Sequence, residues 1–368
     1  MDGATPADLR VPPNGVPPAA EPHRPLDPDF LPPWNACVAR PVGRKEVKES
    51  FAAQAALKKE WDRLRQAGCW DESTVQEWAG VSSAAARDGK KAHFGRIFEI
   101  CVEKGSELPL GHAGRRYKGR VVFQGNQVVD ESWNVAMFQE LGSSPATMTA
   151  GKAADVYGLL EGNATEVADA EQAYIQAQLL SDIPTWVELP RERQPPEWKG
   201  MKRPVCRLRL ALYGHPDSGG YWEKHCEAHL AKAGSTPIPD WRSVFWHPTL
   251  RTMLVVYVGD FKLAGPEGSL RKAWALIRAG IKTEEPGPLA KYLGCEHHHG
   301  EVLVGPGQTP LDVLEAPPPR AGGTPSQLSG LSRRGVRCQN PCSYAYIRHL
   351  WLPCVVRHQV PRALKKLS

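Results

Sequence analysis

Eleven prolines fall within residues 1–45, among them the doublets Pro12-Pro13, Pro17-Pro18 and Pro32-Pro33. Proline fixes φ and removes a backbone donor, so neither a helix nor a sheet ladder runs easily through such a stretch. An extended or disordered arm is expected there, whether it docks on something or stays idle. The same punctuation returns later, where 10 of the 24 residues from Leu303 to Ser326 are Gly or Pro, a linker composition. The foldable chain is therefore confined to about residues 46–300, with 301–326 as linker and 327–368 as a separate tail.

Charge divides in the same region. The 368-residue chain carries a formal +6, yet beyond Glu315 there are nine Lys or Arg and no acid, which leaves residues 1–315 near −3. The tail has no clear hydrophobic period and is assigned no fold; it reads either as a non-specific nucleic-acid arm or as out-of-frame sequence. Any nucleic-acid affinity of the body must rest on local cations such as Arg115, Arg116, Lys118 and Arg120 rather than on net charge. No apolar run reaches about 18 residues, so no membrane span is expected, and no secretory leader pattern opens the chain. Nine cysteines without framework spacing favour reduced thiols and an intracellular setting, cytoplasmic or nuclear.

Within the body, Phe51, Ala55, Leu57, Trp61, Leu64 and Cys69 recur at helical spacing, which predicts an amphipathic helix ending near Gly68. A Ser/Ala-rich connector follows. Strands are predicted at 94–102, 117–123, 165–168, 186–189, 205–210, 243–247 and 253–257, with helices over 151–160, 173–180, 221–233 and 270–280. Strands mixed with helices, including one hairpin-like strand pair, indicate an α+β or α/β domain.

Two aspartates stand out by setting. Asp169 ends the apolar run Val167-Ala168, and Asp260 follows Leu254-Val255-Val256-Tyr257-Val258-Gly259. Carboxylates at the ends of buried strands sit on rigid supports, and two such ends side by side can hold Mg²⁺, a hard cation that also takes substrate phosphates. The plainer reading is a pair of turn residues, since many α/β proteins carry such aspartates.

The body resembles the reverse transcriptase domain of copia-type LTR retrotransposons, through motifs that run in order from Ala56-Leu57-Lys58-Lys59-Glu60-Trp61 and Gly68-Cys69-Trp70 onward. They continue with Tyr117-Lys118-Gly119-Arg120-Val121-Val122-Phe123-Gln124-Gly125, Ser144-Pro145-Ala146-Thr147 and Asp169-Ala170-Glu171-Gln172-Ala173-Tyr174. Then come Trp186-Val187-Glu188-Leu189-Pro190, Ala211-Leu212-Tyr213-Gly214, Tyr221-Trp222, Tyr257-Val258-Gly259-Asp260 and Lys291-Tyr292-Leu293-Gly294. The resemblance implies a polymerase fingers-and-palm fold, an antiparallel palm sheet backed by helices. It implies RNA-directed DNA synthesis with RNA template, DNA primer and dNTPs as partners, and two Mg²⁺ ions held by Asp169 and Asp260. It further implies that main-chain groups of Ala170 and Glu171 lie near the triphosphate, that Lys118 and Arg120 cradle phosphates, and that Tyr174 gates against a ribose 2′-hydroxyl. Tyr292, Leu293 and Gly294 would then hold the primer terminus. The bland reading of Lys118 and Arg120 is a solvated strand face.

Two departures matter. The family box carries two adjacent aspartates, and the first, the principal metal ligand, is replaced here by Gly259; a weak or inactive polymerase, a decayed or truncated copy, is expected. A glutamine of the family's Lys-Gln-Ala-Pro loop is replaced by Asp217. The alternatives are a non-catalytic nucleic-acid-binding remnant and an interaction protein on a palm scaffold.

Weaker motifs keep bland readings. Asp217-Ser218-Gly219-Gly220 resembles a protease nucleophile loop but lacks the required context. His225, Cys226 and His229 have a zinc-compatible helical spacing, with solvated helix positions as the default. A polar turn is the default for His297-His298-His299, and Cys338, Cys342, His349 and Cys354 lack the spacing of a tight zinc knuckle.

Overall fold

The computed structural model describes residues 39–138, 143–303 and 332–338. The Pro-rich arm up to residue 38, most of the linker and the tail beyond residue 338 lie outside the described residues. The chain forms two units, one comprising Met1–Arg40 with Glu103–Arg116 and the other Pro41–Val102 with Tyr117–Ser368. In the small unit the buried Glu103 carboxylate accepts from Arg115 Nε at 2.6 Å and Arg40 Nη2 at 2.7 Å. Arg115 and Arg40, in that order, hold its carboxyl below the usual range. Arg115 is thus engaged within its own unit and is a poor candidate for a phosphate contact.

The large unit begins with the helix Phe51–Gln66. Ser50 caps it by accepting from Ala53 N, and Ala53, Leu57, Trp61 and Leu64 form its buried stripe. Gly68, with φ +68, closes it in the left-handed conformation that glycine adopts without a Cβ penalty. The stripe lies against a mixed sheet ordered His93–Lys104, Thr185–Glu188, Pro204–Leu208, Trp70–Glu77, with Arg116–Phe123 paired to His93–Lys104. Trp61 and Leu64 meet Ile97, Val121, Phe123, Val187 and Leu208 in one core. Gly119 permits the close approach, because a Cβ there would lie 2.7 Å from the Ala56 carbonyl oxygen.

The second sheet is antiparallel and runs Asn163–Asp169, Asp260–Pro266, Thr252–Tyr257, Val244–His247, with the short strands Gly287–Pro288 and Thr236–Pro237 at its two edges. Period-two alternation assigns its two faces. Phe261, Leu263, Leu254 and Val256 pack with Trp222, Leu230, Leu270, Trp274 and Ile277 of the helices Ser218–Lys232 and Glu267–Arg278. Ala264, Met253, Val255 and Trp246 pack on the opposite face with Ala150, Ala153, Ala154 and Tyr157 of the helix Met148–Gly158. Thr147, from the Ser-Pro-Ala-Thr segment, caps that helix by accepting from Ala150 N at 3.2 Å.

The α+β class holds, and no helix among the described residues is long and apolar enough to cross a membrane. Several local expectations are corrected. The helix expected over 173–180 is only a 3-10 turn, Ala173–Gln176, after which Gln178 bridges Leu210 and Leu179 N bonds Arg209 O. Tertiary pairing outweighs helical propensity there. The Ser/Ala-rich connector is instead the helix Trp78–Arg87, with Trp78 and Val81 buried, because alanine favours helix once an apolar stripe has a surface to cover. Trp70–Glu77 and Asp260–Pro266 are additional strands. The strand Cys295–Leu303 runs past residue 300 and pairs with Ser332–Cys338, so part of the tail adds to a sheet.

Candidate functional site

The antiparallel register sets Asp260 directly opposite Asp169 at one end of the second sheet. Alternation directs both to the face that carries Thr165, Lys262 and Ala264. Asp169 is exposed and Asp260 half-buried. Burial and the neighbouring Asp169 carboxylate push the Asp260 pKa up to about 6. Like charges held together in this way share a proton or recruit a cation.

The hairpin before Asp260 is strained. Tyr257 pairs with Asp260, leaving Val258 and Gly259 as a two-residue turn. Val258 has φ +56, whereas Gly259 is not in the left-handed region, the pattern of a type II′ turn. Such a turn ordinarily places glycine at its first central position, so a β-branched residue occupies the position of greatest steric cost. Strain of this kind is of order 1–3 kcal/mol and concentrates at functional sites. Two hydrogen bonds hold the turn: Trp222 Nε1 donates to Val258 O at 2.7 Å, and Ala170 N donates to Gly259 O at 2.7 Å. Trp222 has this anchoring role in addition to its packing, and only the tertiary fold reveals it.

A Cβ added at Gly259 would stand 3.6 Å from Ala173 Cβ and 3.9 Å from Ala170 O, ordinary contacts. The turn therefore has room for a Cβ at residue 259. Among the described residues no group of three or more His, Cys, Asp or Glu side chains is arranged to hold a metal.

The Asp169 loop continues through Gln172, itself left-handed at φ +51, into the turn bearing Tyr174. The N–H groups of Ala170 and Glu171 are already donated, to Gly259 O and to Lys282 O at 2.9 Å. Both N–H groups thus serve to fix this loop against the turn at Gly259 and the segment at Lys282. The half-buried Tyr174 packs on Tyr213 with ring centroids 4.6 Å apart, and the Arg120 guanidinium lies 5.4 Å from the same Tyr213 ring. Lys118 and Arg120 share the strand face opposite the helix Phe51–Gln66, since Gly119, Val121 and Phe123 take the buried face. The structure thus brings Arg120 and Tyr174 to one residue, Tyr213, whose role in joining them was not legible in the motif order.

Behind Asp260 lies a charge pair that the sequence pattern did not announce. Lys262 is only 1% exposed and donates to Asp155 Oδ1 at 2.7 Å. Its ammonium stands 4.2 Å from the Tyr292 ring centroid, and His297 Nε2 is 3.7 Å from Asp155 Oδ2. Burial first, then Asp260 and Asp155, push the Tyr292 phenol well above its usual range. Tyr292 is thus a buried residue whose ring packs against the Lys262 ammonium. Leu293 and Gly294 form a left-handed turn beside it, with φ +47 and +79.

Asp217 is buried, and its N–H donates to His215 Nδ1 at 3.2 Å. Ser218 is buried too and donates Oγ to Leu212 O at 2.7 Å, an internal bond rather than a nucleophile's setting. His229 Nε2 bonds Leu276 O at 3.0 Å and Cys226 is buried, so these are packed rather than solvated helix positions. His297 lies in a strand instead of a polar turn. Cys342, His349 and Cys354 lie outside the described residues.

No protein-family model matches the chain, and a search of curated proteins returns no match.

Proposed function

We propose that residues 46–300 form a copia-type reverse transcriptase domain, an RNA-directed DNA polymerase by descent, that is weak or inactive because Gly259 stands where a metal-ligating aspartate belongs. The observation that carries this reading is the direct pairing of Asp169 with Asp260 beside a hairpin whose Val258 is forced to positive φ. On this reading the antiparallel sheet is the palm, and the sheet bearing Lys118 and Arg120 belongs to the fingers.

The two carboxylates fit one Mg²⁺, which commonly takes one or two carboxylates and completes its shell with water and substrate phosphate. A second ion lacks a ligand at residue 259. Asp169 and Asp260 would hold the ion, and a bound ion of this kind neutralises charge on a transferring phosphoryl group. The chain's own residues would do the rest. Asp260 holds its proton up to about pH 6 and gives it up to become a ligand. Tyr174 restricts space at the sugar, and Lys118 and Arg120 supply positive charge toward the phosphates of a dNTP. RNA template and DNA primer are the partners this reading requires.

Primer extension on an RNA template, with Mg²⁺ or Mn²⁺, tests the proposal. The native chain should extend at or near background, and Gly259→Asp should extend measurably. Robust extension by the native chain would overturn the inactivity, and none by either chain would overturn the polymerase reading. Gly259 also favours a second reading, a non-catalytic nucleic-acid-binding remnant. Binding of an RNA–DNA hybrid without extension by either chain would support it.

A further inference from the structure

Three segments meet at Tyr213. Its carbonyl accepts from Phe123 N at 2.7 Å, which fixes the residue to the end of the strand that bears Lys118 and Arg120. Two residues earlier, Ala211 N donates to Ala177 O at 2.9 Å, joining the same segment to the turn that bears Tyr174. The following residue, Gly214 at φ +87, is pressed so closely to that strand that a Cβ would stand 2.1 Å from Phe123 O. The backbone at Tyr213 is therefore held from both sides.

That ring touches both neighbours. Tyr174 meets it at 4.6 Å with planes tilted 56°, a favourable geometry for aromatic rings. The Arg120 guanidinium lies 5.4 Å from its centroid, within cation–π range. Arg120 and Tyr174 come from different elements, and the ring of Tyr213 is in contact with both.

We infer that Tyr213 is a positioning residue for a nucleoside triphosphate, setting the Arg120 guanidinium and the Tyr174 ring relative to one another. The inference rests on the polymerase reading above and deepens it. With the ring in place, the cation that meets phosphate and the ring that limits the sugar keep a fixed separation, so triphosphate affinity and sugar selectivity are coupled. The ring carries this role, not the hydroxyl, so phenylalanine should substitute for tyrosine.

The test uses the full-length Gly259→Asp chain as parent, with Tyr213→Ala and Tyr213→Phe added. Binding of dTTP in the presence of Ca²⁺ is measured by calorimetry, and steady-state extension is measured with dTTP and with UTP. Tyr213→Ala should weaken dTTP binding and raise its KM by about 10-fold, the size expected from losing one aromatic and one cation–π contact. Its kcat should stay within about 2-fold of the parent, and its preference for dTTP over UTP should fall. Tyr213→Phe should match the parent in all four quantities. If the parent neither binds nor extends, the polymerase reading fails and the inference falls with it. If the parent binds or extends and Tyr213→Ala equals it in affinity and selectivity, the inference alone is overturned. Loss of kcat with unchanged KM, or equal losses in the Ala and Phe variants, also overturns it.

Discussion

Placing a carboxylate at residue 259 should cost stability without metal and regain it with metal. The turn accepts the side chain: the nearest contacts of a Cβ would be 3.6 and 3.9 Å, and the backbone is not left-handed there. Packing and strain are therefore not the obstacle. What changes is charge, because a third carboxylate joins the Asp169–Asp260 pair, whose mutual repulsion already helps to push Asp260 up to about 6. Two unit charges about 5 Å apart at an effective dielectric of 20 repel by roughly 3 kcal/mol, and partial exposure of the site reduces this to about 1–2 kcal/mol. For a domain of this size that corresponds to a fall in Tm of about 2–8 °C. Saturating Mg²⁺, at about 100 times Kd, should return about 2.7 kcal/mol. The assay is thermal unfolding at pH 7.5 in EDTA and in rising MgCl₂, with ionic strength held constant. Gly259→Asn serves as the uncharged control and should stay within about 1 kcal/mol of the native chain at every Mg²⁺ concentration. At pH 5, where Asp260 holds its proton, the Gly259→Asp deficit should shrink. Equal Tm for the native and Asp chains in EDTA, or the same Mg²⁺ response in both, would refute the claim that residues 169, 259 and 260 face one site.

Two further outcomes follow from buried charge. Lys262→Met leaves Asp155 without its 2.7 Å partner and should destabilise by about 3–5 kcal/mol, while Lys262→Met with Asp155→Leu should recover most of that; chemical denaturation of the three variants measures it, and a double variant no better than the single would contradict the pairing. Burial, with His93 as a second cause, lowers the His215 pKa to about 3. The unfolded chain therefore takes up a proton near pH 6.5 that the folded chain refuses, and stability falls as pH drops from about 6.5 toward 3, by roughly 3–5 kcal/mol in all. His215→Gln should flatten that limb of the unfolding free energy against pH, and an unchanged slope would show that other groups set it.

Much of the frame was legible from composition and periodicity. Leu57, Trp61 and Leu64 announce the buried face of the helix Phe51–Gln66 because burial selects side chains at the 3.6-residue repeat, whereas Phe51 and Ala55 of the expected stripe are exposed. Asp169 and Asp260 were identifiable as carboxylates flanking apolar runs. The helix Trp78–Arg87 was less legible, since among its alanines and serines only Trp78 and Val81, with Ala85 beside them, form the stripe that packs on Phe94, Trp186 and Val205. Lys262 was illegible: alternation in Phe261-Lys262-Leu263 reads as a solvated lysine, and its burial is made tolerable by Asp155 and the Gly151 carbonyl of a distant helix together with the Tyr292 ring.

By itself the sequence determined which stretches could build a core, where the carboxylates stand along the chain, and that residue 259 contributes no ligand. Those properties are local, set by side-chain chemistry and by the repeat of helix or strand. Only the tertiary structure decided that Asp169 faces Asp260, that Val258 is held at positive φ by Trp222, and that Tyr213 joins Arg120 to Tyr174. Each of these depends on the register between segments far apart in the chain. A one-residue slip of the Asp260–Pro266 strand would keep every local preference and still turn Asp260 to the other face of the sheet. Register is set by the packing of whole faces, and that is why it is found in the fold and not in the motif.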